Sequence, residues 1–499
     1  MPSSRRSSAS SLSSITDEVS TPFLRSDLHS PSELVLVPDE SDPRGDFDFS
    51  SDDEIVDDIS AHLDRLKASP IPPLPPTLVF LYLLVPYLKL GPFLLSTSNA
   101  SLAYTLPALF LFALLAAAAR QIAYMLTKYI RKTDLEEVVA DTFARGIGKE
   151  GRRHLLRSIV RGLTGVLRVL LATMYLRAAT TVLLPLFPNE LVIPSRVVLT
   201  IIFALVVLPL SLASSLASKT IVYATWAALL SYIVWFSSVT FAHARGTLAP
   251  NPEWSQAGVL WQSIAPIVFT FSSSWTLPLY AALKGSSPRL TNKKSKRYSF
   301  KSLSAASIAL AVIIVLPLCF YSAHPNAPLL TQDSPRHPPH ALIAASNAAA
   351  LVLTIPLILI TTPSLPIPTS IRRSTNIPVS KMILFVVTVA ISLLSTHASA
   401  ILSDILLTLS VASTFVVPAV LHIVTHHLHS PLAIVLPTAS PTLPQPTGTQ
   451  DELLQRKERM LQRRRLGKRL LWDVIAWALV LLVGGGGAAW TAGRLSEIW

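Results

Sequence analysis

Cysteine is all but missing from this chain: Cys319 is the single example in 499 residues, and it lies inside an apolar run. A disulfide framework and a Cys-x-x-Cys metal site are both excluded. Charge is scarce too. Asp, Glu, Lys and Arg make up 14% of the chain against roughly 25% in soluble domains, while 51% of residues are hydrophobic. An apolar leader is also lacking. Met1–Ser20 is serine-rich with no hydrophobic core, so no cleavable signal peptide is expected and the first apolar segment becomes the insertion signal. No Walker loop, nucleophile–histidine pairing or paired-carboxylate motif stands out, so nothing points to an enzyme or to a bound cofactor.

What is present comes in blocks. Residues 1–70 combine serine runs and prolines with about fifteen acids and about six Lys or Arg. Such a stretch buries too little apolar surface to offset its ordering entropy, and a disordered cytosolic tail is expected. Within it only Asp57–Lys67 has the spacing of a short amphipathic helix, with Ile59, Leu63 and Leu66 on one side. From Pro76 onward eleven apolar segments are predicted, at 77–97, 101–127, 160–187, 194–213, 219–242, 258–282, 302–323, 341–362, 380–397, 401–425 and 470–493. Uncharged stretches of about 20 residues read as helices because a helix satisfies its own backbone hydrogen bonds in lipid. The expected class is all-α integral membrane with about eleven transmembrane helices. A ten-helix core over 77–425 precedes a linker with a basic helix over 428–469, and an eleventh helix follows at 470–493.

The basic residues test that count. The net charge is +13. Lys128, Arg131, Lys132, Arg145, Lys149, Arg152, Arg153 and Arg157 follow the second segment, and a second basic run from Lys284 to Lys301 follows the sixth. Arg372, Arg373 and Lys381 follow the eighth, and a third run from Arg456 to Arg469 follows the tenth. The opposite-side connections hold only Arg196, Arg245, Arg336 and Arg494. That asymmetry is the positive-inside pattern and puts the N-terminus in the cytosol. The lipid bilayer, not nucleic acid, is the partner that the basic charge addresses. A vacuolar or endomembrane location and the plasma membrane both stay open. The connection Thr133–Arg153 has helical spacing, with Leu135, Val138, Val139 and Phe143 sharing a face, as for a helix lying on the membrane surface.

Two segments carry interruptions. Leu90, Gly91 and Pro92 interrupt the first; in the sixth, Pro266 precedes Thr270, Phe271, Ser272, Ser273, Ser274 and Trp275, with Pro278 beyond. Unwound backbone is tolerated in a bilayer only where protein or a water-filled cavity satisfies it, and paired broken helices in two repeats hold solute and ion in secondary transporters. The first and sixth segments are five positions apart, as an inverted repeat of five helices requires. Against this, Pro and Gly also merely kink membrane helices. Intramembrane charges divide similarly. Arg120, Arg168 and Arg177 pair within the bundle or snorkel. Lys89, beside the Gly-Pro pair, either occupies a cation site or reaches the headgroups. Asp404 is a proton or gate carboxylate, or a helix-start Asp stabilised by the dipole. Ser346 and Asn347 line an ion path or make an ordinary interhelical hydrogen bond. His422, His426, His427 and His429 place imidazoles at i, i+4, but no second cluster accompanies them and no metal is assigned. Gly484–Gly487 suits close helix packing better than phosphate.

The stretch from Ser263 through Phe269, Thr270 and Phe271 to Trp275, Tyr280 and Lys284 resembles the sixth helix of the amino acid/auxin permease family. Thr354–Leu359 with Arg372 and Arg373 resembles its eighth helix and following loop. Ser403–Leu406 leading to Val417, Pro418 and Ala419 resembles its tenth, and Asp134–Glu137 with Phe143–Gly148 the connection after its second. Two departures stand out. The family's glycine-rich first-helix signature shrinks here to Lys89–Leu95, and the polar group common in its sixth helix is replaced by Ser272–Ser274. The resemblance, to a divergent, fungal-type member, implies a leucine-transporter-like bundle of five plus five inverted helices and one C-terminal helix. It implies a secondary transporter of amino acids driven by H+ or Na+. Its departures leave a transport-inactive sensor or scaffold as the alternative.

Overall fold

The computed structural model describes residues 72–97, 102–130, 132, 134, 135–144, 148–187, 194–213, 215–245, 257–272, 277–285, 299–321, 338–365, 378–428 and 470–495. The acidic tail with its Asp57–Lys67 stretch, linker residues 429–469, the basic residues Arg289–Arg297, and Arg336, Arg372 and Arg373 lie outside the described residues. All regular structure among the described residues is helical. In chain order the helices are α1 (Pro76–Leu84), a 3-10 turn (Val85–Tyr87), α2 (Leu90–Thr97), α3 (Leu102–Ile130), α4 (Leu135–Phe143), α5 (Glu150–Leu183) and α6 (Ser195–Ser211). They continue with α7 (Lys219–Ala244), α8 (Ala257–Phe271), α9 (Leu277–Gly285), α10 (Phe300–Val315), α11 (Pro338–Val352), α12 (Ile355–Thr361), α13 (Val379–Ser392), α14 (Thr396–Val411) and α15 (Val417–Ile423). A final helix, α16, covers Leu470–Gly493.

Eight helical stretches among the described residues are long and apolar enough to cross a membrane, and α6 and α13 are shorter apolar helices. The bundle wears its hydrophobicity on the outside as well as inside. Leu114, Tyr223 and Leu482 are 68%, 70% and 67% exposed, and many more large apolar side chains share that outer surface. In water such a continuous apolar skin is a liability; against lipid it costs nothing. Inside, α11 packs on α7 and α5. Buried Ala344, Ala348 and Ala350 on α11, with Ala224 and Ala228 on α7, are the small residues that allow close approach between membrane helices. A π turn at Ala412–Val416 joins α14 to α15 and packs on a second π turn, Leu479–Gly484, of α16. There a methyl at Gly484 would lie 3.4 Å from Val416 Cγ2 and one at Gly487 3.8 Å from Val411 Cγ1, so these two glycines face the contact while Gly485 and Gly486 have nothing within 4 Å.

Helix ends alternate between the two faces of the bundle. At the face bearing α4, the backbone N–H of Leu74 donates to Ala282 O at 3.1 Å, and Lys381 Nζ donates to Ala213 O at 2.6 Å. At the opposite face two arginines cap the end of α13. Arg177 donates to Leu394 O at 3.0 Å, and Arg196 donates to Ser392 O at 2.7 Å. Cations on the last carbonyls of a helix satisfy orphan acceptors and complement its dipole.

Two boundaries differ from the expectation. The stretch Thr133–Arg153 is not one surface helix: α4 ends at Phe143, Gly148 takes a left-handed φ of 86°, and α5 begins anew at Glu150. Ion pairs explain why α4 folds back on α5. Arg161 meets Glu136 at 2.8 Å, while Asp141 bridges Lys132, at 2.6 Å, and Arg153. Asp404 does not start its helix. α14 begins at Thr396, its N-cap Ser395 accepts from the Ala398 N–H at 3.4 Å, and Asp404 sits two turns in, half-buried.

Candidate functional site

Both interrupted segments are broken, and the breaks adjoin. α1 stops at Leu84, tightens into a 3-10 turn containing Pro86, and leaves Leu88 outside helical angles (φ −99°, ψ 39°) before α2 starts at Leu90. The interruption therefore spans Val85–Lys89, one turn before the Gly-Pro pair. Gly91 and Pro92 fall in the first turn of α2, where proline is at home because the first N–H groups of a helix have no partner. Opposite, α8 stops at Phe271, and Ser272 closes its end, donating its N–H to Phe269 O at 3.2 Å. The chain resumes as α9 at Leu277.

Gly91 brings the two segments together. A Cβ at this position would stand 2.7 Å from Thr270 Cα and 2.8 Å from Thr270 N, distances no side chain tolerates. The backbones of α2 and α8 thus meet directly, and the Tyr87 and Phe271 rings flank the junction with centroids 5.6 Å apart. Arg120 of α3 secures the first break. It is 5% exposed, donates to Leu83 O at 3.1 Å and to Ser307 Oγ at 3.0 Å, and stacks on the Tyr87 ring at 4.4 Å. Its guanidinium meets a carbonyl at the C-terminal end of α1, where the helix dipole is negative.

Beside the breaks lies a cavity of about 90 Å³, lined by Tyr82, Lys89, Arg168, Tyr175, Ser272 and Ser410 among others. Ser410 donates to Ser272 Oγ at 2.6 Å, tying α14 to the end of α8. Lys89 is 6% exposed, and its Nζ lies 5.8 Å from the Tyr175 ring centroid, a cation–π approach. Leu167, Arg168 and Thr361 also line a second, larger space of about 650 Å³ at the face bearing α4. This vestibule carries Asp134, Glu136 and Arg161 on its wall. On the other side, α2 sends Phe93 against Trp235 (4.3 Å between centroids) and Tyr232 (5.7 Å), all three buried.

No protein-family model and no curated protein sequence matches the chain. The site stands on its own geometry.

The acids near the vestibule are held differently. The Asp134 carboxyl is pushed up to about 6 by burial and by the neighbouring Glu137 and Glu136 charges, with Arg161 opposing. For Asp141, burial raises the value, but the hydrogen bonds and charges of Lys132 and Arg153 outweigh it and hold the carboxyl below its usual range.

Of the residues singled out in the sequence, Lys89, Gly91, Arg168 and Ser272 line the cavity, while Thr270 and Phe271 form the last turn of α8 before Ser272. Leu90 and Pro92 sit beside Gly91 in α2. Ser273, Ser274 and Trp275 lie outside the described residues. Ser346, on α11, bonds within its own helix to Leu342 O at 2.6 Å. Asn347 is buried with no partner for its Oδ1, and neither it, Ser346 nor Asp404 is among the residues lining either space. Sequence reasoning missed Tyr82, Tyr175 and Ser410. A single hydroxyl in an apolar helix was the available signal, and many other helix positions here share it. Two of the four histidines clasp α16: His422 Nε2 lies 3.0 Å from Asp473 Oδ1, and His427 Nε2 3.6 Å from Oδ2, while His429 lies outside the described residues.

Proposed function

We propose that the chain is a secondary active transporter of amino acids, coupled to H+ or Na+ and working by alternating access. The observation that carries this reading is the pair of adjoining helix breaks with a small polar cavity beside them. Broken helices expose backbone groups that a buried solute can engage, and rocking of one helix group against another opens the site to either side. Eleven crossings in a five-plus-five inverted arrangement with a C-terminal helix suit this role. The split sixth segment and the shorter α6 and α13 supply the crossings beyond the eight long helices. With the basic connections cytosolic, the vestibule faces the cytosol, and the Phe93–Trp235–Tyr232 cluster closes the other route.

The amino acid/auxin permease resemblance supports the same reading and supplies the amino acid as substrate. Concentrative uptake of labelled amino acids into proteoliposomes tests it. Absence of uptake under both a proton and a sodium gradient refutes it. One observation favours the alternative of a transport-inactive sensor or scaffold: about 90 Å³ is small beside the roughly 300–1,000 Å³ of ordinary ligand pockets. Binding without flux is its signature.

A further inference from the structure

We propose that the cavity selects a solute of net negative charge, an acidic amino acid, with one carboxylate received by Lys89. The selection deepens the transport reading and rests on it for the identity of the site.

Lys89 Nζ is buried, lines the cavity and makes no hydrogen bond or ion pair among the described residues; the Tyr175 ring is its neighbour. A lone ammonium in a low-dielectric interior is heavily penalised unless an anion completes the site. No carboxylate among the described residues lines the cavity. Asp473 is engaged with His422 and His427, and Asp404 lies elsewhere on α14. Arg168 lines both spaces and has interactions of its own, so the charge count rests on Lys89. Hydroxyl residues Ser272, Ser410, Tyr82, Tyr175 and Thr361 line the cavity; their oxygens can accept from a substrate ammonium but supply no countercharge. A neutral amino acid therefore brings one carboxylate to Lys89 and adds an ammonium beside it. An acidic one brings a second carboxylate, and a basic one worsens the imbalance. The discrimination is electrostatic, so it follows net charge more than side-chain length.

The test uses the purified full-length chain and thermal shift with aspartate, glutamate, alanine, leucine, lysine and chloride as probes at fixed pH and ionic strength. Aspartate or glutamate is expected to bind at least tenfold more tightly than alanine, lysine to give no shift, and Lys89→Gln to abolish the acidic preference while remaining folded. Equal or tighter binding of alanine or leucine overturns the proposal. So does a preference that survives Lys89→Gln, stabilisation by chloride equal to that by aspartate, or no shift with any probe. Uptake separates the two readings. Acidic binding without flux sinks transport and keeps the selection; alanine uptake that aspartate does not inhibit does the reverse.

Discussion

Replacing Gly91 with alanine adds one carbon where two helices touch through their backbones. The new Cβ would lie 2.2 Å from Thr270 Oγ1, 2.7 Å from its Cα and 2.8 Å from its N. The hydroxyl can rotate away; the other two atoms are backbone. Restoring an ordinary 3.4 Å between the added methyl and the Thr270 backbone requires α2 and α8 to part by about 0.7 Å (3.4 less 2.7). Overpacking of this kind costs about 1–3 kcal/mol. Gly162→Ala is the matched control: Gly162 lies on the exposed face of α5 with nothing within 4 Å, so alanine there should gain about 0.5–1 kcal/mol of helix propensity. The unfolding midpoint of the purified chain in detergent is expected to fall for Gly91→Ala and to rise for Gly162→Ala. Adding Thr270→Ala to Gly91→Ala should not restore the midpoint, because the backbone atoms remain. An unchanged midpoint for Gly91→Ala, or full rescue by Thr270→Ala, refutes the direct meeting of the two broken segments through their backbones.

Other perturbations address the charges. Arg120→Met leaves Leu83 O and Ser307 Oγ without their guanidinium donor and should cost about 2–4 kcal/mol of stability, read as a lower midpoint; Arg120→Lys should recover only part, since one ammonium does not reproduce the planar fork and ring stack. Lys89→Met removes a buried charge lacking an ion-pair partner among the described residues and should add up to about 3 kcal/mol of stability, read as a higher midpoint. The two aspartates should respond to pH with opposite sign. Asp134 has a folded value of about 6, above the ordinary 3.8, so the folded state binds the extra proton between them and loses stability as pH rises through that window. Asp134→Asn should therefore raise the midpoint at pH 7 but not at pH 3.5. Asp141, held low, contributes stability above its unfolded value that is lost as pH falls through the folded one, so Asp141→Asn should lower the midpoint at pH 7 and converge with the unmodified chain in acid. Midpoints across pH for both variants check the signs.

Hydropathy made the spanning helices legible, because a run of uncharged residues long enough for the bilayer has few other folds available. The site was half legible. Proline and glycine announced an interruption near Leu90–Pro92, but the helix opens one turn earlier, at Val85–Lys89. A proline in the first turn of a helix looks in sequence like a breaker, and Gly91 owes its role to Thr270, some 180 residues away. The start of α14 differs from the expectation because the segments 380–397 and 401–425 place the connection at residues 398–400, whereas Ser395 caps a helix that already includes those residues. Arg120 was weighed between snorkelling and pairing. Its acceptors, a carbonyl freed by a break in another helix and a serine on α10, exist only once the bundle is assembled.

Arg120 and Lys89 show how the fold separates charges it uses from a charge it leaves for something else. Both are buried cations next to the first break, and a spanning helix carries such a group at considerable cost. Arg120 is spent on the protein: its guanidinium joins three helices, through Leu83, Ser307 and its own backbone on α3, and removing it leaves buried acceptors behind. Lys89 joins nothing by hydrogen bond among the described residues, and Ser272 and Ser410, which line the same cavity, bind one another. Among the described residues no carboxylate lines the cavity beside Lys89, and the deficit has a sign. A bundle that serves only as a scaffold has no use for that deficit, whereas a bundle that admits an anion from the vestibule has. Lys89 thus weighs towards the reading in which a solute enters.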